Sequence, residues 1–155
     1  MTTKLFLDTN VLIDYYARRA PYFDQCISLR VMQAFGDAEL WVSAKSFTDV
    51  FYVLKRSVGA SELQRAFAQS VAAETGFLRV CSITGADIEA AAAAAWPDFE
   101  DCLVHQAALK VQASAILTRD AAGFAQATVP VYTPVEFFKR LHAKRGVEYS
   151  VEGLV

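Results

Sequence analysis

Leu5-Phe6-Leu7-Asp8-Thr9-Asn10-Val11-Leu12-Ile13 is the stretch on which the reading of the chain turns. An apolar run of strand type stops on a carboxylate. Two polar residues follow, and the apolar pattern then restarts at helical spacing. A buried strand ending on Asp8 delivers a charge to the C-terminal rim of a sheet, where open α/β folds build their sites. A lone strand-end Asp is also an ordinary helix cap. A functional role for Asp8 therefore needs other carboxylates at the same rim.

Outward from this stretch, strand and helix patterns alternate. Strands are expected at Lys4–Leu7, Glu39–Ser43, Phe77–Ile83, Ala115–Leu117 and Val129–Tyr132. Helices are expected at Asn10–Arg18, Tyr22–Phe35, from Ser46 to about Arg56, from Ser61 until Gly76 breaks the pattern, Thr84–Trp96, Asp98–Gln112 and from Thr133-Pro134 onward. Ala121–Phe124 suits a single turn. This alternation implies an α/β fold: one domain over residues 1–145, with a mainly parallel central sheet of about five strands and helices on both faces. Residues 146–155 read as a tail or a small edge strand. The aromatic stripe of Tyr15, Tyr16, Tyr22, Phe23, Phe47, Phe51 and Tyr52 reads in part as core, its surplus as a partner surface.

Bulk properties narrow the function. With 54% hydrophobic and 21% charged residues over 155 positions, the chain can bury a core and is not extended and disordered. No apolar run approaches the roughly 18 residues of a membrane helix, and the N-terminus lacks a signal-peptide pattern. A soluble, cytoplasmic protein is expected. Cys26, Cys81 and Cys102 form no C-x-x-C pair, which argues against a disulfide framework or a structural zinc site. His105 and His142 lie too far apart for a sequence-local metal motif. The net charge of −2 gives no overall attraction to a polyanion, so local basic residues or cations would have to supply it.

Three further acids are placed like Asp8. Asp49 lies early in the helix after the second strand, Asp101 in the first turn of the helix after Pro97, and Asp120 just beyond the strand Ala115–Leu117. In a parallel sheet these positions share one edge. Each has a plain alternative: Ser46-x-x-Asp49 and Asp98-x-x-Asp101 look like capping arrangements, and Asp120 could cap a short turn. Gathered together, the carboxylates would repel one another and take up protons unless a cation screens them. A hard divalent ion with oxygen ligands, Mg²⁺ or Mn²⁺, meets that need; it can activate water and stabilise charge on a phosphoryl oxygen. Asp14 on the first helix reads as facing solvent, and Asp98 and Glu100 as pointing away from the site.

The ordered pieces Leu-Phe-Leu-Asp8-Thr-Asn10-Val-Leu-Ile-Asp14, Asp98-Phe-Glu-Asp101-Cys-Leu, Ala-Ile-Leu-Thr118-Arg119-Asp120-x-x-x-Phe124 and Val129-Pro-Val-Tyr-Thr-Pro134-x-Glu136-Phe137 resemble a PIN-domain ribonuclease, of the kind found as VapC-like toxins. The likeness covers about residues 4–141. It implies a Mg²⁺- or Mn²⁺-dependent endoribonuclease acting on single-stranded or structured RNA, restrained by an antitoxin protein and working as a homodimer. On that likeness Asp8, Asp49, Asp101 and Asp120 are the catalytic and metal-holding acids, with Asn10 and Thr118 in support. The family commonly has Glu where Asp49 stands, so the shorter Asp49 is expected either to hold its metal through water or to leave it to Asp8 and Asp101. Arg119 and Lys45 are candidate RNA contacts. Three alternatives stay open: a PIN nuclease of RNA processing, a non-catalytic PIN fold that binds RNA or protein, and a phosphohydrolase of the haloacid-dehalogenase type. The last would want Asp-x-Asp where this chain has Asp8-Thr9-Asn10.

Overall fold

The computed structural model describes residues 2–149. Five parallel strands, β1 (Thr3–Leu7), β2 (Ala38–Ser43), β3 (Leu78–Cys81), β4 (Ala115–Leu117) and β5 (Val131–Tyr132), form one sheet in the order β3-β2-β1-β4-β5. The helices are α1 (Thr9–Tyr16), α2 (Phe23–Ala34), α3 (Ala44–Leu54), α4 (Ala60–Val71), α5 (Gly85–Ala94), α6 (Phe99–Lys110) and α7 (Pro134–Arg145). The expected α/β architecture with helices on both faces is the one found.

Strand β1 shows why. Leu5, Phe6 and Leu7 are all buried, because a parallel sheet is covered on both sides. Alternation sends Leu5 and Leu7 to one face, where they pack with Leu12, Leu29, Met32, Val50 and Leu63 from the first four helices. Phe6 goes to the other, against Val104, Ala107, Ala108 and Ile116. The chain runs outward from β1 through β2 to β3, then returns to β4 on the far side. Thus β1 and β4 flank the switch point where open α/β sheets leave a crevice.

Several boundaries shift for local reasons. Helix α3 opens at Ala44 with Ser43 as its cap, accepting from the Lys45 amide at 3.2 Å, so Ser46-x-x-Asp49 is no cap. The Ser46 hydroxyl instead meets that of Thr9 at 2.9 Å. Helix α1 stops at Tyr16, and a π-helical turn over Lys55–Gly59 follows α3. The last strand is shorter than expected. Helix α7 opens with a capping box between Thr133 and Glu136 and closes on Gly146, whose φ of 63° suits glycine. Residues 147–149 form no strand, and 150–155 of the expected tail or edge strand lie outside the described residues. All three cysteines are free and buried. No helix among the described residues is long and apolar enough to cross a membrane.

Candidate active site

The register Leu7↔Leu117 sets the ends of β1 and β4 side by side, so Asp8 and Thr118 leave the sheet as neighbours. Asp8 is 6% exposed and caps α1: Oδ1 accepts from the Thr9 amide at 2.8 Å. Its Oδ2 accepts from the Thr118 hydroxyl, also at 2.8 Å. That hydroxyl in turn accepts from Asn10 Nδ2 and from the Asp120 amide, each at 3.1 Å. Its one donor and two acceptor positions are all used, which fixes the side chain. Asn10 Oδ1 accepts from the Arg119 amide at 3.2 Å and ties the turn after β4 to α1. Asn10 and Thr118 are therefore the scaffold that aims Asp8.

Asp101 reaches the same place from the first turn of α6. Asp98 caps that helix by accepting from the Asp101 amide at 3.0 Å, so the Asp98-x-x-Asp101 cap is real. Gly123 shows how close Asp101 and Asp120 come. A Cβ at this position would collide with Asp101 Oδ2 and lie 3.6 Å from Asp120 Oδ2. The glycine leaves the space that Asp101 occupies beside Asp120.

Electrostatics match this convergence. Burial raises the Asp101 carboxyl to about 7, helped by the charges of Asp8, Asp98, Asp120 and Glu100. Asp8 is raised as well, chiefly by burial and further by Glu100 and Asp120; its bonds from Thr118 and Thr9 oppose the rise. Carboxyls held this way gain from any cation that replaces the protons. The donors are all oxygen, as a hard divalent ion requires, so the residues fit one. Among the described residues, no three acidic, histidine or cysteine side chains are already drawn into a single coordination shell.

Other expected site residues stand differently. Asp49 is bound to Lys45 Nζ at 2.7 Å on the surface of α3, and its charge is not among those perturbing Asp8 or Asp101. It shares a small crevice with Glu100, Thr9 and Ser46. Glu100, read as pointing away, is near enough for its charge to raise both Asp8 and Asp101. Asp14 does not face solvent: it is 1% exposed, with Oδ2 at 2.6 Å from Arg119 Nε. That pairing sets the Arg119 guanidinium against α1. Burial raises the Asp14 carboxyl, and Arg119 opposes the rise.

The family profile described as PIN domain matches residues 4–122. The chain belongs to the PIN-domain family. It is accordingly a PIN nuclease, a hydrolase of nucleic acids. Among solved structures, VapC20 of Mycobacterium tuberculosis, a sarcin–ricin loop cleaving toxin, superposes with a TM-score of 0.59 at 16% identity, covering 79% of this chain and 94% of its own. A toxin–antitoxin complex from Klebsiella pneumoniae gives 0.58 at 20% identity over 84% and 97%. VapBC2 of Rickettsia felis, bound to a promoter DNA fragment, gives 0.59 at 12% identity over 84% and 98%. At these identities the shared property is the PIN fold. None of the curated proteins compared with the chain matches it.

Proposed function

We propose that this PIN domain is a Mg²⁺- or Mn²⁺-dependent endoribonuclease that cleaves single-stranded RNA, and that it is the toxin of a toxin–antitoxin pair. The observation that carries the reading is the convergence of Asp8, Asp101 and Asp120 at the sheet's switch point, on the Thr118–Asn10 scaffold and over Gly123. These three acids would hold the ion, with Glu100 and Asp49 at the flank. When bound, such an ion activates water as a nucleophile and stabilises charge on a phosphoryl oxygen. The residues supply orientation. Thr118 and the Thr9 amide fix both Asp8 oxygens, Asp98 holds the first turn of α6, and Gly123 keeps Asp101 and Asp120 together.

Asn10 occupies the place where a haloacid-dehalogenase site needs its second Asp. Here it is an amide engaged with Thr118 and the Arg119 backbone, which speaks against that chemistry. The toxin reading draws on two of the fold neighbours, a sarcin–ricin loop cleaving toxin and a toxin–antitoxin complex. A protein antitoxin and a homodimer belong to it, and Tyr52 and Val53, 71% and 55% exposed on α3, offer apolar contact surface. A cytoplasmic location goes with this reading.

The test is cleavage of single-stranded RNA with Mg²⁺ or Mn²⁺, with and without EDTA, beside Asp8→Asn and Asp101→Asn. Activity should require the metal and vanish in both variants. Cleavage in EDTA, or full activity in both variants, would refute the mechanism. Expression that arrests growth, relieved by Asp8→Asn, would mark a toxin; harmless expression of active enzyme would point to RNA processing.

A further inference from the structure

We propose that the cavity beside the acid pocket, bounded by Asp14, Arg119, Tyr22, Gln25, Thr133 and Pro134, is a guanine slot for a nucleotide flanking the scissile phosphate. The assignment builds on the ribonuclease reading. The cavity measures about 240 Å³, below the roughly 300–1,000 Å³ of sites for drug-sized ligands and suited to a single base. Arg119 links it to the acids along the chain: the residue lines the cavity and lies between Thr118 and Asp120, and its backbone amide donates to Asn10 Oδ1.

The polar groups of the slot are only half used. Asp14 is 1% exposed, and its Oδ2 forms an ion pair with Arg119 Nε at 2.6 Å, yet Asp14 Oδ1 and Arg119 Nε are both buried without a hydrogen-bond partner. Buried carboxylate oxygens are ordinarily satisfied, so an unmatched one on a side chain that lines a cavity calls for a donor. Arg119 complements it. Its guanidinium lies 4.6 Å from the centroid of the Tyr22 ring, and among the described residues neither Nη donates a hydrogen bond. The slot thus sets an unmatched acceptor beside a guanidinium, with Tyr22 and Pro134 also on its walls.

Guanine is the base that answers both groups. Its O6 and N7 accept from an Arg fork, and its N1–H and N2 amino group donate to a carboxylate. Adenine would turn its N6 donor toward the guanidinium. A pair that merely pins α1 to the turn after β4 would leave base preference untouched, and this separates the two roles.

The experiment is fluorescence anisotropy of the full chain in EDTA with labelled pentamers UUGUU, UUAUU, UUIUU (I, inosine) and UUXUU (X, 7-deazaguanosine). UUGUU should bind about tenfold or more tighter than UUAUU, with inosine and 7-deazaguanosine each losing part of that advantage. Asp14→Asn should abolish the preference. Tyr22→Ala, at a residue 41% exposed, should weaken it even if the Asp14 variant fails to fold. Equal affinity for all four pentamers, or binding of none, overturns the proposal. So does competition by an arginine-bearing peptide with no effect of the base, which would give the slot to a protein partner. Guanine preference without metal-dependent cleavage would sink the nuclease reading alone; cleavage without guanine preference would sink the slot alone.

Discussion

Replacing Asp101 by Asn should stabilise the metal-free protein at alkaline pH while removing its activity. In the folded chain this carboxyl is raised from an ordinary 3.8 to about 7 by burial and by four neighbouring acids. A group raised in this way adds stability below its unfolded value and loses it as pH rises through the folded value. The metal-free protein should therefore weaken between about pH 4 and 7 and stay weaker at pH 8. At about 1.36 kcal/mol per pK unit, the whole rise would amount to about 4 kcal/mol for a fully shielded group. Asp101 is only partly buried, and solvent screening cuts the figure to about 2 kcal/mol. Asn keeps the shape and drops the charge, so at pH 8 in EDTA the variant should melt about 4–8 °C above wild type. The gap should close at pH 4 and narrow when Mg²⁺ is added to wild type at pH 8, because a bound ion stabilises the fold that holds it. Thermal melts of both proteins over pH 4–8, with EDTA and then with Mg²⁺, measure all of this. A variant that melts at or below wild type at pH 8 in EDTA would refute the charge-crowding account.

Thr118→Val should destabilise by about 2–4 kcal/mol, since it strands the Asp120 amide and Asn10 Nδ2 and releases Asp8; denaturant melts should show this, with Thr118→Ser restoring most of it. Gly123→Ala should weaken Mg²⁺ binding, read by calorimetry, at least as much as Asp49→Asn does, because the methyl displaces Asp101 whereas Asp49 is already held by Lys45. His105 is lowered by burial and its Nε2 accepts from the Thr128 amide at 3.1 Å, so the fold holds it neutral. Its contribution is complete above about pH 6.5 and is lost as pH falls toward the depressed folded value. His105→Gln should accordingly flatten the acid limb of the stability profile, while the wild-type limb falls.

The sheet was legible because its strands are apolar runs that end abruptly, and Leu5-Phe6-Leu7 gives both the burial and the exit of Asp8. Asp101 and Asp120 were legible for the same reason: each sits where an element starts or stops. Asp14 was misread because its partner comes from Arg119, more than a hundred positions away, and helical spacing carries no information about a distant guanidinium. Ser46 looked like a cap because it precedes Asp49 by three, yet Ser43 already held that role one turn earlier. Glu100 fell to an angular argument that ignores side-chain length at a helix start. Gly123 has no sequence signal at all, since the space it leaves is defined by Asp101 on another helix.

The most direct test of the central claim is end analysis of the RNA fragments released with Mg²⁺ by wild type and by Asp8→Asn. The acid pocket predicts metal-dependent hydrolysis by water, leaving 3′-hydroxyl and 5′-phosphate ends, and no fragments from the variant. Fragments ending in 2′,3′-cyclic phosphate, or the same fragments from Asp8→Asn, would contradict it.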